Sequence, residues 1–129
     1  MARTTIDDAA GMTVGEVVHK RFSALPASAT IGEVREWFAV SSSRRMAFLA
    51  DDGRYAGSLT PGDLHGDSGR PAAEVAHDGP TVGADAPVSA GYELALATDA
   101  RRVPVVDGDG RLLGVLSVTE DHQGFCGTS

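Results

Sequence analysis

The hydrophobic positions of this chain alternate between two spacings, one typical of helices and one typical of strands. Ile31, Val34 and Phe38 lie on one face of a predicted helix. Thr30 and Glu33 have the capping-box spacing that starts such a helix. The predicted elements of the first half are a helical turn at 13–18, an extended segment at 22–25, the helix from Thr30, strands at 46–50 and 55–59 around a tight turn at 51–53, and a short helix opening at Thr60.

The second half of the chain repeats this order. The segment 52–60 (DGRYAGSLT) returns 57 positions later as 109–117 (DGRLLGVLS). The matching elements are a turn at 72–76, a short strand at 81–82, a helix from Pro87 to about Asp99, strands at 103–106 and 112–116, and a last helix opening at Ser117. A period of this length is one supersecondary unit used twice.

The repeat predicts an α+β fold of two β-α-β-β-α units that are related by a pseudo-two-fold axis and packed through their sheets. One three-stranded sheet does not bury both of its faces alone, whereas two related sheets do. The predicted boundaries are repeat 1 at 12–65, a linker at 66–71, repeat 2 at 72–122, and flexible termini at 1–11 and 123–129.

Charge and composition exclude several classes of function. The chain has 11 basic and 18 acidic residues, which disfavours nucleic acid and anionic membrane surfaces as partners. No apolar run reaches the roughly 18–20 residues of a membrane-spanning helix, and the N-terminus lacks the apolar core of a signal peptide. Cys126 is the single cysteine, so a cytoplasmic location without disulfides is expected. Neither an activated nucleophile nor a P-loop is visible, so no enzyme and no catalytic residue is predicted.

Two motifs within the duplicated order carry a family resemblance. One is the run 103–107 (VPVVD) with its Asp-Gly turn, and the other is the run 57–64 (GSLTPGDL). With these motifs the chain resembles, over about residues 12–122, a tandem pair of cystathionine-β-synthase (CBS) domains, often called a Bateman module. The second run follows the family's Gly-hydrophobic-hydrophobic-Thr/Ser-x-x-Asp/Asn motif except that Ser58 stands at the first hydrophobic position.

The resemblance implies clefts between the repeats that take adenosine-containing ligands, namely AMP, ADP, ATP or S-adenosylmethionine. It implies that Thr60 faces phosphate and that Asp63 binds the ribose hydroxyls. Ser117 and Glu120 would be the weaker second pair, because Glu120 replaces the expected aspartate. The adenine-lining strand residues would be Met46, Ala47, Val103 and Pro104, with Ala47 in place of the family's usual proline. At most one good site, the one that contains Asp63, is therefore expected.

The same residues also have simpler interpretations. Thr60 with Asp63, and Ser117 with Glu120, have the spacing of helix caps that need no ligand. The arginine pairs before the buried strands either neutralise phosphates or lie at a solvated strand edge; they are Arg44, Arg45, Arg101 and Arg102. The four histidines fall into two pairs that the repeat relates, His19 with His77 and His65 with His122, but their spacing does not predict a metal site.

Two functions follow from this sequence. The first is a non-catalytic sensor that binds an adenosine-type ligand in the inter-repeat cleft and signals to an unknown partner protein in trans. The second is a ligand-free CBS-pair module for dimerisation or interaction. Trp37 beside Phe38 gives the first long helix more apolar width than one unit needs, so a homodimer is expected in either case.

Overall fold

The computed structural model describes residues 4–18, 24–41, 44–98, 100–119 and 121–125. Within them, the elements in chain order are β1 (Thr4–Thr5), α1 (Ile6–Ala9), α2 (Val14–Val17), β2 (Leu25–Pro26), α3 (Ile31–Ala39), β3 (Ala47–Asp51), β4 (Arg54–Leu59), β5 (Val82–Gly83), α4 (Val88–Leu96), β6 (Arg102–Val106), β7 (Leu112–Ser117) and β8 (Gly124–Phe125). Single 3-10 turns lie at Pro61–Asp63 and Ala72–Glu74. This is the predicted α+β class, with two three-stranded sheets.

The chain forms two compact units. One contains Ser23–Gly79, and the other combines Met1–Phe22 with Pro80–Ser129. We call them the Asp63 unit and the Phe125 unit. Each contains one sheet of the same topology, in which the first strand pairs parallel to the second and the second pairs antiparallel to the third.

The Asp63 unit follows the sequence closely. The capping box of α3 is present, because the Thr30 amide donates to Glu33 Oε1 at 3.1 Å and the Glu33 amide donates to Thr30 Oγ1 at 3.2 Å. The hairpin between β3 and β4 turns at Asp52 and Gly53, which both have positive φ, as a two-residue hairpin turn requires. The fully or nearly fully buried core residues are Ala29, Ile31, Val34, Ala47, Leu49, Leu59 and Ala72.

The segments that begin the two repeats, 13–18 and 72–77, are exchanged: each packs in the unit that contains the other repeat's sheet. We call them the leading segments. The Val14 amide donates to the Ala86 carbonyl at 2.9 Å, so α2 belongs to the Phe125 unit although it precedes the first repeat's sheet. Conversely, the Ala72 amide donates to the Ala29 carbonyl at 2.9 Å within the Asp63 unit. The compact units therefore differ from the predicted boundaries 12–65 and 72–122.

A close approach between helices holds α2 in the Phe125 unit. Gly91 lies on the buried face of α4, and a Cβ atom built there would lie 2.9 Å from Val14 Cγ2 and 2.5 Å from Leu116 Cδ2. Only glycine leaves this space to Val14 and Leu116. Gly91 in α4 therefore allows α2 to pack against it.

The ends of the described chain are part of the Phe125 unit. β1 pairs antiparallel with β8, with Thr4 opposite Phe125 and Thr5 opposite Gly124. Ala9 and Phe125 are both buried in the core. Residues 4–9 and 124–125, which the sequence assigned to flexible termini, thus lie in regular elements of this unit, and Phe125 supplies an apolar anchor for the pairing.

The helix predicted to open at Ser117 does not form in the described residues. Ser117 ends β7, and Val118 continues the extended chain with a bridge to Phe125. A local turn follows, in which Asp121 Oδ1 accepts from Thr119 Oγ1 at 2.6 Å and from the Gln123 amide at 3.0 Å. Such side-chain hydrogen bonds give the backbone an alternative to a helix. In the first repeat the corresponding element is the 3-10 turn at Pro61–Asp63.

Candidate functional site

The turn after β4 places the predicted ribose-binding carboxylate. Pro61 starts the 3-10 turn. Its ring fixes φ, and it has no amide hydrogen, which would be without a partner at the first position of a turn. Asp63 Oδ2 accepts from the Thr60 amide at 2.8 Å and from Thr60 Oγ1 at 3.0 Å. The predicted pairing of Thr60 with Asp63 is therefore present in the local structure, where Thr60 orients one oxygen of the carboxylate.

A histidine from the exchanged segment reaches the other oxygen. His77 Nε2 lies 2.8 Å from Asp63 Oδ1. The backbone of His77 is fixed to β4, since its amide donates to the Ser58 carbonyl at 2.8 Å and its carbonyl accepts from the Ser58 amide at 2.9 Å. Gly57 has φ +138°, and a Cβ atom there would lie 3.1 Å from Ala76 Cβ, so a glycine lets this segment lie against β4.

The sequence did not identify His77 as a partner of Asp63. The repeat related His77 to His19, which lies outside the described residues. The informative signal is the exchange of the leading segments, which brings 72–77 to the sheet that carries Asp63. The period of the repeat does not contain that information.

Opposing effects set the ionisation of Asp63. Burial raises its pKa, but hydrogen bonds from the Thr60 backbone, His77 and the Thr60 hydroxyl outweigh this, with a further contribution from the charge of His77. The pKa of Asp63 is therefore lowered, and the carboxylate is ionised at neutral pH. On β4 of the same unit, burial raises the pKa of Tyr55, which the Ser58 side chain and the Gly79 backbone counter only in part.

The lowered pKa of Asp63 predicts a pH-dependent contribution to folding. Because the folded pKa lies below the unfolded one, the stabilisation is complete above about pH 4 and is lost as the pH falls through the folded pKa. The difference in unfolding free energy between the wild type and Asp63→Asn, measured with urea at several pH values, is expected to favour the wild type at neutral pH and to shrink in acid. A difference that does not change with pH would contradict this assignment.

The residues predicted to line adenine lie at the buried strands of both units. Ala47 and Val103 are fully buried in the cores of their own units, Pro104 is buried in β6, and Met46 is half-buried just before β3. Their contact with a ligand stays a prediction.

Two of the four predicted phosphate-facing arginines, Arg44 and Arg102, donate hydrogen bonds within their own units. Arg44 Nη1 donates to the Trp37 carbonyl at 2.7 Å, and its guanidinium lies 4.5 Å from the centre of the Trp37 ring. Arg102 Nη1 donates to the Ala100 carbonyl at 2.8 Å. Arg45 is exposed, and Arg101 has a left-handed backbone with φ +55°. Phosphate binding by these four residues stays a prediction.

The second motif differs from the first at the level of structure. The Ser117 side chain is buried, and its Oγ has no hydrogen-bond partner among the residues that the structure describes. Ser117 therefore does not act as a helix cap, unlike the arrangement at Thr60. Glu120, its predicted partner, lies outside the described residues.

Two general properties concern metals and membranes. In the described ranges, no group of three or more histidine, cysteine, aspartate or glutamate residues is placed to hold a metal ion. His19 and Cys126 lie outside those ranges. Among the described helices, none combines the length and the apolar character needed to cross a bilayer.

Comparison with known proteins agrees with the fold and with the motifs. Residues 72–120 match the family model of the CBS domain. The chain also resembles the CBS-pair protein CBSX2 from Arabidopsis thaliana, with 21% identity and a TM-score of 0.73 over 83% of this chain and 89% of that one. None of the curated protein sequences searched matches the chain.

Two further structures belong to ligand complexes. CBSX2 in complex with AMP has 22% identity and a TM-score of 0.72, over 83% of this chain and 90% of that one. The cytosolic domain of the Mg²⁺ channel MgtE in complex with ATP has 24% identity and a TM-score of 0.71, over 81% of this chain and 45% of that one. At these identities the likeness concerns the fold.

The second repeat is thus a CBS domain, and the fold of the chain is that of a CBS-domain pair. The predicted fold of a tandem CBS pair, or Bateman module, is confirmed.

Proposed function

We propose that this chain is a non-catalytic regulatory module that binds an adenosine-containing ligand of the AMP, ADP or ATP class through Asp63. The observation that carries the proposal is the carboxylate of Asp63, which two hydrogen bonds from Thr60 hold in the turn after β4, where the CBS motif has its ribose-binding residue. The AMP and ATP complexes of similarly folded CBS-pair proteins support this ligand class.

The geometry suggests a division of roles between Thr60 and Asp63. The Thr60 amide and hydroxyl both donate to Asp63 Oδ2, so they fix the orientation of the carboxylate. Oδ1, on the other side, is the oxygen that a ribose hydroxyl would approach. Hydrogen bonds to a charged acceptor are stronger than those between neutral groups, which suits a carboxylate for this task.

The proposed regulation works through a partner protein in trans and through a homodimer. A ligand that binds one arrangement of the module more tightly than another shifts the population toward it. The proposed dimer contact is α3, where Trp37 and Phe38 are half-buried and their rings pack edge to face at 5.0 Å, and where Val40 at the helix end is 72% exposed. S-adenosylmethionine is a further candidate ligand.

Asp63→Asn tests the ligand site. We expect the wild type to bind AMP or ATP in isothermal titration calorimetry and the variant to bind about ten- to a hundredfold more weakly, because a hydrogen bond to a charged group contributes about 1.5–3 kcal/mol. Asp67→Asn is the matched control, since Asp67 is an exposed aspartate in the same unit. S-adenosylmethionine is titrated in parallel.

Two outcomes would contradict the proposal. One is that none of these ligands binds to the wild type or raises its thermal stability. The other is that Asp63→Asn and Asp67→Asn bind equally well. The first result, together with a stable dimer in sedimentation analysis, would favour the ligand-free dimerisation module, whereas the second would show that the ligand binds without Asp63.

A further inference from the structure

We infer that His77 competes with the ligand for Asp63, so that this histidine sets the ligand affinity of the site and makes the affinity rise with pH. The inference rests on the proposed function of Asp63 and adds a regulating residue to it. It is carried by the contact of 2.8 Å between His77 Nε2 and Asp63 Oδ1.

The hydrogen-bonding capacity of the carboxylate gives the first step. A carboxylate has about four acceptor positions, two on each oxygen. The Thr60 amide and hydroxyl take both positions on Oδ2, and His77 takes one on Oδ1. One position is left, whereas the vicinal hydroxyls of a ribose offer two donors. A ribose that binds through both hydroxyls therefore has to displace the imidazole of His77.

The second step is that the side chain of His77 can move away from Asp63. Its side chain is 67% exposed, against 21% for Asp63, so the imidazole can rotate into solvent. Its backbone, in contrast, stays paired with Ser58 on β4. Displacement therefore requires a side-chain rotation and no rearrangement of the sheet.

The third step is the charge of the imidazole. Histidine is the side chain that ordinarily changes charge between about pH 5 and 8. The protonated ring adds the attraction between opposite charges to its hydrogen bond with the Asp63 carboxylate, so it holds Asp63 more strongly than the neutral ring does. Asp63 itself stays ionised over this range because its pKa is lowered. The ligand consequently meets a stronger competitor at low pH.

Other titratable groups lie near the pair. They are Tyr55 on β4, Asp78 directly after His77, and His65 two residues beyond Asp63. Phenols and aspartates ordinarily keep their charge state between about pH 5 and 8, so among these neighbours His65 is the group that needs a control.

The test uses adenosine, which has the ribose diol and no phosphate. Its affinity is measured by calorimetry at about pH 5.5 and about pH 8 for the wild type, His77→Ala, His77→Gln and the control His65→Ala. We expect wild-type affinity to rise about three- to tenfold with pH. His77→Ala is expected to bind about fivefold more tightly than the wild type at the higher pH, from the loss of one competing hydrogen bond, and to show no pH dependence.

His77→Gln and His65→Ala distinguish the effect of the charge of His77 from the effect of its hydrogen bond to Asp63. His77→Gln keeps a neutral donor, so it is expected to lose the pH dependence without the full gain in affinity. His65→Ala is expected to match the wild type at both pH values.

Three results would overturn the inference, and they are distinguishable. Weaker binding by His77→Ala would make His77 a ligand contact instead of a competitor. Binding by all four proteins with the same affinity and pH profile would overturn the inference and leave the proposed function standing. Binding of adenosine by none of the four would overturn both.

Discussion

Replacing Val14 with aspartate is expected to unfold the Phe125 unit, although Val14 precedes the first repeat's sheet in sequence. Val14 is fully buried and packs in a core with Val82, Val103 and Leu116. A buried carboxylate without a partner costs several kcal/mol or more, which is comparable with the total stability of about 5–15 kcal/mol of a small domain. The measurement is amide hydrogen exchange of β6 and β7, whose protection should be lost in the variant.

Glu16→Ala provides the control for this prediction. Glu16 lies on the same short helix and is exposed, so its replacement should change the unfolding free energy by less than about 0.5 kcal/mol. If instead β6 and β7 stay protected in Val14→Asp, the placement of α2 in the Phe125 unit is incorrect.

The elements that the sequence predicted well are those that local chemistry determines. The capping box at Thr30 and Glu33 starts α3 through hydrogen bonds between residues three positions apart. The Asp52-Gly53 turn sets the register of the β3–β4 hairpin through two positive φ values. Neither feature depends on distant parts of the chain, so a single sequence contains enough information for both.

The exchange of the leading segments was not predictable in the same way. The repeat shows that 13–18 and 72–76 are equivalent, but both segments are short and largely apolar, and either could cover either sheet. What decides between them is long-range packing, such as the space that Gly91 leaves for Val14. The partner of Asp63 was missed for the same reason, because His77 arrives with the exchanged segment.

The two copies of the motif diverge because of residues that the repeat does not share. Pro61 follows Thr60 and favours a helical turn, whereas Val118 follows Ser117 and, being β-branched, suits the extended chain in which it bridges to Phe125. The oriented carboxylate forms in the first copy, and in the second a buried Ser117 hydroxyl remains without a partner among the described residues. Sequence comparison of the copies predicted an asymmetry, and the local structure gives it this physical cause.

Phe125→Ala is expected to lower the unfolding free energy of the Phe125 unit by about 3–5 kcal/mol, the usual cost of removing a buried phenylalanine side chain. Phe125 is 1% exposed and packs edge to face against Tyr92, with 6.1 Å between the ring centres. Urea unfolding followed by circular dichroism measures the change. Leu113→Ala on β7 is the control, because Leu113 is 40% exposed and its loss should cost far less. Equal costs for the two variants would indicate that the C-terminal segment is the flexible end that its sequence predicted. The expected difference would instead indicate that β8 belongs to the core that contains α2 and the sheet of β5, β6 and β7.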